Sequence, residues 1–111
     1  MFISTYTKLN NGLILIKSSQ NYITMDTIER RIKKIIIDVA QLNDQPEDLD
    51  DESSLDDLGY NYNMCRDLEN RLNDFIENDQ HCDQLLEDRD ISADNTIGEV
   101  VEMVKDNLSK C

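Results

Sequence analysis

Three stretches of this chain repeat apolar residues at helical spacing. Ile28, Ile32, Ile35, Ile36 and Val39 recur at i, i+4, i+7, i+8 and i+11, and Asp26 and Glu29 before them have the spacing of a capping box. The pattern predicts a first helix that ends near Leu42, with Arg30, Arg31, Lys33 and Lys34 largely off its apolar stripe. A second helix is expected to start within residues 60–63, capped by Asn61 or Asn63, and to bury Met64, Leu68, Leu72, Phe75 and Ile76. The third opens at Asp94 or Asn95 and carries Ile97, Val100, Val101, Val104 and Leu108, with Gly98 inside it marking close packing or simple tolerance.

The segments between these stripes read differently. Residues 43–54 form a long acidic connection around Pro46, which cannot sit inside a helix, and Leu49 and Leu55 are its expected anchors. Leu85 and Leu86 suggest a short helix or turn between the second and third long helices. Residues 1–24 hold β-branched and aromatic residues around Asn10-Asn11-Gly12, a hairpin signal; the other reading is an extension ahead of a product beginning at Met25. Single apolar stripes on three long helices and a short one share a core only as a small bundle, so the expected fold is an all-α four-helix bundle over residues 25–111, preceded by that hairpin or disordered extension.

Charge changes the picture. Residues 1–24 contain Lys8 and Lys17 and no acid, so residues 25–111 hold all 24 acidic residues against nine of the eleven basic ones, a net of about −15. Such a field repels nucleic-acid phosphates and anionic lipid and steers basic protein surfaces toward the domain, although it also serves solubility alone. Cys65, Cys82 and Cys111 are an odd set without paired spacing, which implies neither a disulfide framework nor a zinc site and fits a reducing cytoplasm. The apolar run from Leu13 to Ile16 is too short for a signal segment or a membrane span.

Ser54-Leu55-Asp56-Asp57-Leu58-Gly59, read with Thr27-Ile28-Glu29-Arg30-Arg31-Ile32 before it and Thr96-Ile97-Gly98-Glu99-Val100-Val101 after it, resembles the acyl carrier protein family over about residues 26–108. In that family Leu-Gly is followed by Asp-Ser-Leu, and the serine carries a 4′-phosphopantetheine arm. Here the same place holds Asn61-Tyr62-Asn63, so the position equivalent to the attachment serine is Tyr62, or Asn61 or Asn63 if the loop shifts by one. The resemblance therefore implies a carrier-like module without its arm: no cofactor, no catalysis, and a monomer that docks a basic protein, such as a fatty-acid or polyketide-type enzyme. The partner-facing residues it implies are Asp57, Tyr60, Asn63, Arg66, Asp67, Asn70 and Arg71. The alternating charges of the second helix also read as a solvated face, with Asp67 and Arg71 as one i, i+4 pair.

A second function class is a carrier modified at a non-standard residue. A third is calcium binding, because Asp88, Asp90, Ser92, Asp94, Thr96 and Glu99 match the ligand positions of an EF-hand loop, although Ala93 stands where that loop needs glycine. His81 and Cys82 beside Asp83 read as a surface histidine and a half-buried cysteine.

Overall fold

The computed structural model describes residues 26–111; the hairpin expectation for residues 1–24 lies outside them. Three α-helices follow one another: α1 (Thr27–Ala40), α2 (Tyr62–Asp74) and α3 (Ile97–Leu108). One-turn 3₁₀ segments at Pro46–Asp48 and Asp56–Leu58 shape the first connection. α2 runs on through Phe75–Asp79 in wider turns, where the Gln80 N–H reaches the Phe75 carbonyl five residues back. The described residues are thus all-α, and none of their helices is long and apolar enough to cross a membrane.

Each helix starts and stops for a local reason. Asp26 accepts a hydrogen bond from the Glu29 N–H at 2.7 Å, but the Glu29 carboxylate turns to Lys33, so only half of the expected capping box forms. α1 stops at Ala40 because Gln41 takes a left-handed conformation (φ 57°) and the Leu42 N–H returns to the Ile37 carbonyl. Asn61 caps α2 by accepting from the Met64 N–H at 2.9 Å. α3 is capped by Thr96, later than expected: Thr96 and Glu99 exchange side-chain-to-backbone bonds of 3.1 and 2.9 Å in a complete capping box.

The core joins the three stripes. Ile32, Ile36 and Ile37 of α1 meet Cys65, Leu68 and Leu72 of α2, then Phe75 and Ile76, and Ile97, Val100, Val101 and Val104 of α3. Leu49 and Leu55 are buried beneath the first connection as their positions suggested. Each fully buried aliphatic side chain of this kind contributes about 1.5–3 kcal/mol. Lys33 does not lie off the stripe as expected. It is buried, and its ammonium meets Asp51 at 2.6 Å and Glu29 at 3.0 Å, which holds the first connection to α1. Burial alone would pull the Lys33 pKa down, but the bonds to Asp51 and Glu29 outweigh it and raise it.

Of the short helix or turn expected near Leu85 and Leu86 no helix forms, so the described residues hold three α-helices and not four. Leu86 is buried while Leu85 is exposed, and the next buried residue is Ile91, a spacing that gives no helical stripe. Left-handed backbone at His81 (φ 54°) and Arg89 (φ 68°) turns the chain at both ends of this segment. Its polar groups are satisfied from α2 instead. Asn73 accepts from the Leu86 N–H at 2.7 Å and donates to the Leu86 carbonyl at 3.1 Å.

The two connections meet at the start of α3. Ser54 and Thr96 form an antiparallel bridge, and the N–H groups of Leu55 and Asp56 donate to the carbonyls of Asn95 and Ala93, each at 2.9 Å. The Ile97 and Gly98 N–H groups donate to the carbonyls of Ser53 and Asp51, so the acidic connection satisfies the free donors at the start of α3. A side chain at Gly98 would meet the Asp51 carbonyl at 3.1 Å, which makes the glycine a matter of close packing.

Candidate functional site

The first connection delivers charge to the head of α2. Residues 41–65 contain eight carboxylates, from Asp44 to Asp57, and no lysine or arginine. Elsewhere in the described residues every lysine and arginine lies within ion-pair distance of a carboxylate: Arg30 with Glu47, Arg31 with Asp79, Lys33 with Asp51 and Glu29, and Lys34 with Asp38 on α1. Arg66 with Glu69, Arg71 with Asp67, Arg89 with Asp88, Lys105 with Asp26 and Lys110 with Asp106 complete the set. Within the first connection only Glu47 and Asp51 meet cations, both from α1. Asp44, Glu52 and Asp56 are exposed.

The loop owes its outward charge to backbone fastening. Gly59 takes φ 88°, a conformation that side chains disfavour, and closes the Asp56–Leu58 turn as its N–H donates to the Asp56 carbonyl at 2.9 Å. Asp57 and Ser54 exchange bonds of 3.2 Å that fix the turn. The connection then enters α2 at Asn61.

Of the residues expected to face a partner, Asp57, Asn63, Asn70 and Arg71 are exposed, and Asp67 is half-buried. Arg71 donates to Asp67 at 3.2 Å, the i, i+4 pair that the spacing suggested. Tyr60 corrects the expectation: it is buried, and its phenol donates to the Ile36 carbonyl at 2.6 Å, so it belongs to the core. Burial pushes the Tyr60 phenol well above its ordinary pKa. Arg66 is also turned inward. It donates to Glu69 at 2.8 Å and to the Ile91 carbonyl, and its guanidinium stacks 4.7 Å from the centroid of the Tyr62 ring.

Tyr62 is the first residue of α2, and 57% of its surface is exposed. Asn61 is spent on the cap, and Asn63 projects from the first turn. Cys65, two positions on, is buried and unpaired; burial pushes its thiol up, away from the thiolate form that reacts.

Four residues that matter here carried no signal of their own. Glu69 is buried in α2, and its carboxylate accepts from the N–H groups of Ile91 (2.8 Å) and Arg89 (3.3 Å) as well as from Arg66. With Asn73 four residues on, it forms a polar strip along the apolar face of α2. Such a strip is what a long connection without a helical period demands from its neighbour. Cys82 and Cys111 form a disulfide with Cα atoms 5.8 Å apart, which corrects the reading of the cysteines as unpaired. Cys82 is buried, not half-buried, and is no nucleophile. The inference of a reducing cytoplasm loses its ground, since disulfides persist chiefly in oxidising compartments.

The EF-hand spacing is not matched by geometry. Glu99 is bound into the α3 cap, and Asp90 accepts from the Glu87 N–H at 2.8 Å. Among the described residues no three His, Cys, Asp or Glu side chains converge as a metal site would require. No protein-family model matches the chain, and neither does any curated protein or solved structure.

Proposed function

We propose that this chain is a non-catalytic, acyl-carrier-like docking module that binds a basic protein surface through residues 44–57 and the first turns of α2. The observation that carries this reading is the concentration of charge: residues 41–65 supply eight carboxylates, two of them ion-paired to α1, and no cation of their own, while every cation of the described residues is already ion-paired. Unmatched negative charge on a fixed backbone attracts cationic partners and accelerates their encounter at low ionic strength. The order of elements, an amphipathic helix, a long acidic loop ending in Asp-Leu-Gly and a second amphipathic helix, supports the carrier-like part of the proposal.

The residues at the head of α2 do not fit a phosphopantetheine arm. Attachment needs an aliphatic hydroxyl one carbon from the backbone, whereas Tyr62 offers a phenol at the far end of a ring stacked by Arg66, and Asn61 and Asn63 offer amides. Intact mass after incubation with a phosphopantetheinyl transferase and coenzyme A tests this. We expect no change; a gain of the arm would favour the carrier modified at a non-standard residue.

Docking is tested by calorimetry with a Lys/Arg-rich peptide. A triple variant Asp44→Asn, Glu52→Gln, Asp56→Asn removes three exposed charges from the loop, and a control Glu77→Gln, Asp83→Asn, Glu102→Gln removes three from elsewhere. We expect the loop variant to weaken binding about tenfold and the control less than about twofold, since nearby charges dominate in screened solution. Equal losses would show that net charge alone attracts the peptide.

A further inference from the structure

Beside the acidic loop lies an apolar recess that the docking proposal leaves unused. Tyr62, Cys65, Arg66, Arg89, Ile91 and Ala93 line a cleft of about 320 Å³ between the first turns of α2 and the second connection. That volume sits at the small end of the roughly 300–1,000 Å³ typical of small-molecule pockets, so it suits one large side chain better than a whole cofactor.

Three features of its lining describe an occupant. Cys65 and Ile91 are buried and Ala93 half-buried, which makes the cleft apolar, while the exposed Tyr62 ring stands at its edge. Arg66 Nε is buried without a hydrogen-bond partner, although Nη2 of the same guanidinium is engaged by Glu69 and the Ile91 carbonyl. A buried donor left unmatched is costly, and an incoming acceptor would recover that cost. The third feature is charge. Asp56, whose N–H donates to the Ala93 carbonyl, stands beside the cleft on one strip, and exposed Asp88, Asp90 and Asp94 alternate with the lining residues along the other.

These features exclude an anionic occupant, because its charge would meet four carboxylates around a cleft whose two arginines are already ion-paired. Building on the docking proposal, we infer that the cleft seats one large apolar side chain of an extended basic segment of the partner, whose backbone carbonyl accepts from Arg66 Nε while flanking lysines or arginines meet the carboxylates. Tyrosine and arginine around a desolvated pocket are the residues that most often anchor protein interfaces. The loop would attract the partner, and the cleft would select it.

Two amidated Lys/Arg peptides, one with a central phenylalanine and one with alanine in its place, test the inference against the full-length, isotope-labelled chain. The phenylalanine peptide is expected to bind about tenfold more tightly and to move the Ile91 and Ala93 amides and the Arg66 side-chain N–H resonance. Equal affinities, with only residues 44–57 responding, would overturn the cleft and leave the docking proposal standing. Failure of both peptides to bind would overturn both. Ala93→Leu, which fills the cleft, should abolish the advantage of phenylalanine while leaving the alanine peptide unaffected. Tyr62→Ala, at an exposed position, should reduce the advantage without disturbing the fold; an advantage that survives both variants contradicts the assignment.

Discussion

The connection over residues 42–61 and the connection over residues 80–96 both cross between helices with little regular structure, yet they are fastened by different parts of the chain. The first is held mainly through its backbone: carbonyls of Asp51 and Ser53 receive the opening N–H groups of α3, and Leu55 and Asp56 pair with Asn95 and Ala93. Glu47 and Asp51 add ion pairs to α1, and Asp48, Asp50 and Asp57 accept from N–H groups of the loop itself, which leaves Asp44, Glu52 and Asp56 to face outward. The second is held by side chains that reach it from α2, Glu69 to Ile91 and Asn73 to Leu86, and by the Cys82–Cys111 disulfide. Polar side chains spent on internal fastening are unavailable to a partner, and backbone fastening of the first connection leaves Asp44, Glu52 and Asp56 free to meet one.

Removing the fastenings of the second connection should cost most. Glu69→Ala leaves the Arg66 guanidinium and the Ile91 N–H without their acceptor in a buried setting, and we expect a loss of about 3–5 kcal/mol in denaturant unfolding. A loss below about 1 kcal/mol would mean that this carboxylate does not organise the segment. Reducing the Cys82–Cys111 bond, which spans 29 residues, should cost about 3.6 kcal/mol by the loop-closure argument and lower the thermal midpoint accordingly. Asn73→Ala should cost about 2 kcal/mol and raise hydrogen exchange at Leu86 specifically.

Acid should act at the helix starts. Asp26 is held below its ordinary value of 3.8 by the Lys105 ammonium and the Glu29 N–H, and Glu99 below 4.5 by the Thr96 N–H and the Asn95 amide. A depressed folded pKa means that the stabilisation is fully present above the unfolded value and is lost as pH falls through the folded one. Asp26→Asn should therefore flatten the fall of the thermal midpoint below about pH 4; an unchanged acid limb would contradict this. The smallest effect belongs to the first connection, where Glu52→Gln should change stability by less than about 0.5 kcal/mol. A larger loss would show that its charges are fastenings after all.

The sequence announced the parts of this structure that obey a period or a cap. The stripes of α1, α2 and α3, the anchors Leu49 and Leu55 and the Asn61 cap follow from spacing and residue type. The burial of Lys33 and Tyr60 did not follow, because it depends on partners distant in sequence, Asp51 in the loop and the Ile36 carbonyl in α1. Residues 80–96 were hidden for the same reason: two anchors, an amide clamp and a disulfide partner from beyond α3 leave no periodic mark. The acidic loop was visible as composition, but its lack of cations became informative only once the cations elsewhere were seen to be paired.

Carbon-detected titration of the side-chain carboxyl groups during addition of a Lys/Arg peptide tests the central claim most directly. The account predicts that Asp44, Glu52 and Asp56 shift first and most, while Asp38, Asp67 and Glu69, already paired within the domain, respond least. Shifts of equal size across all of these carboxyls would contradict a docking surface at the first connection.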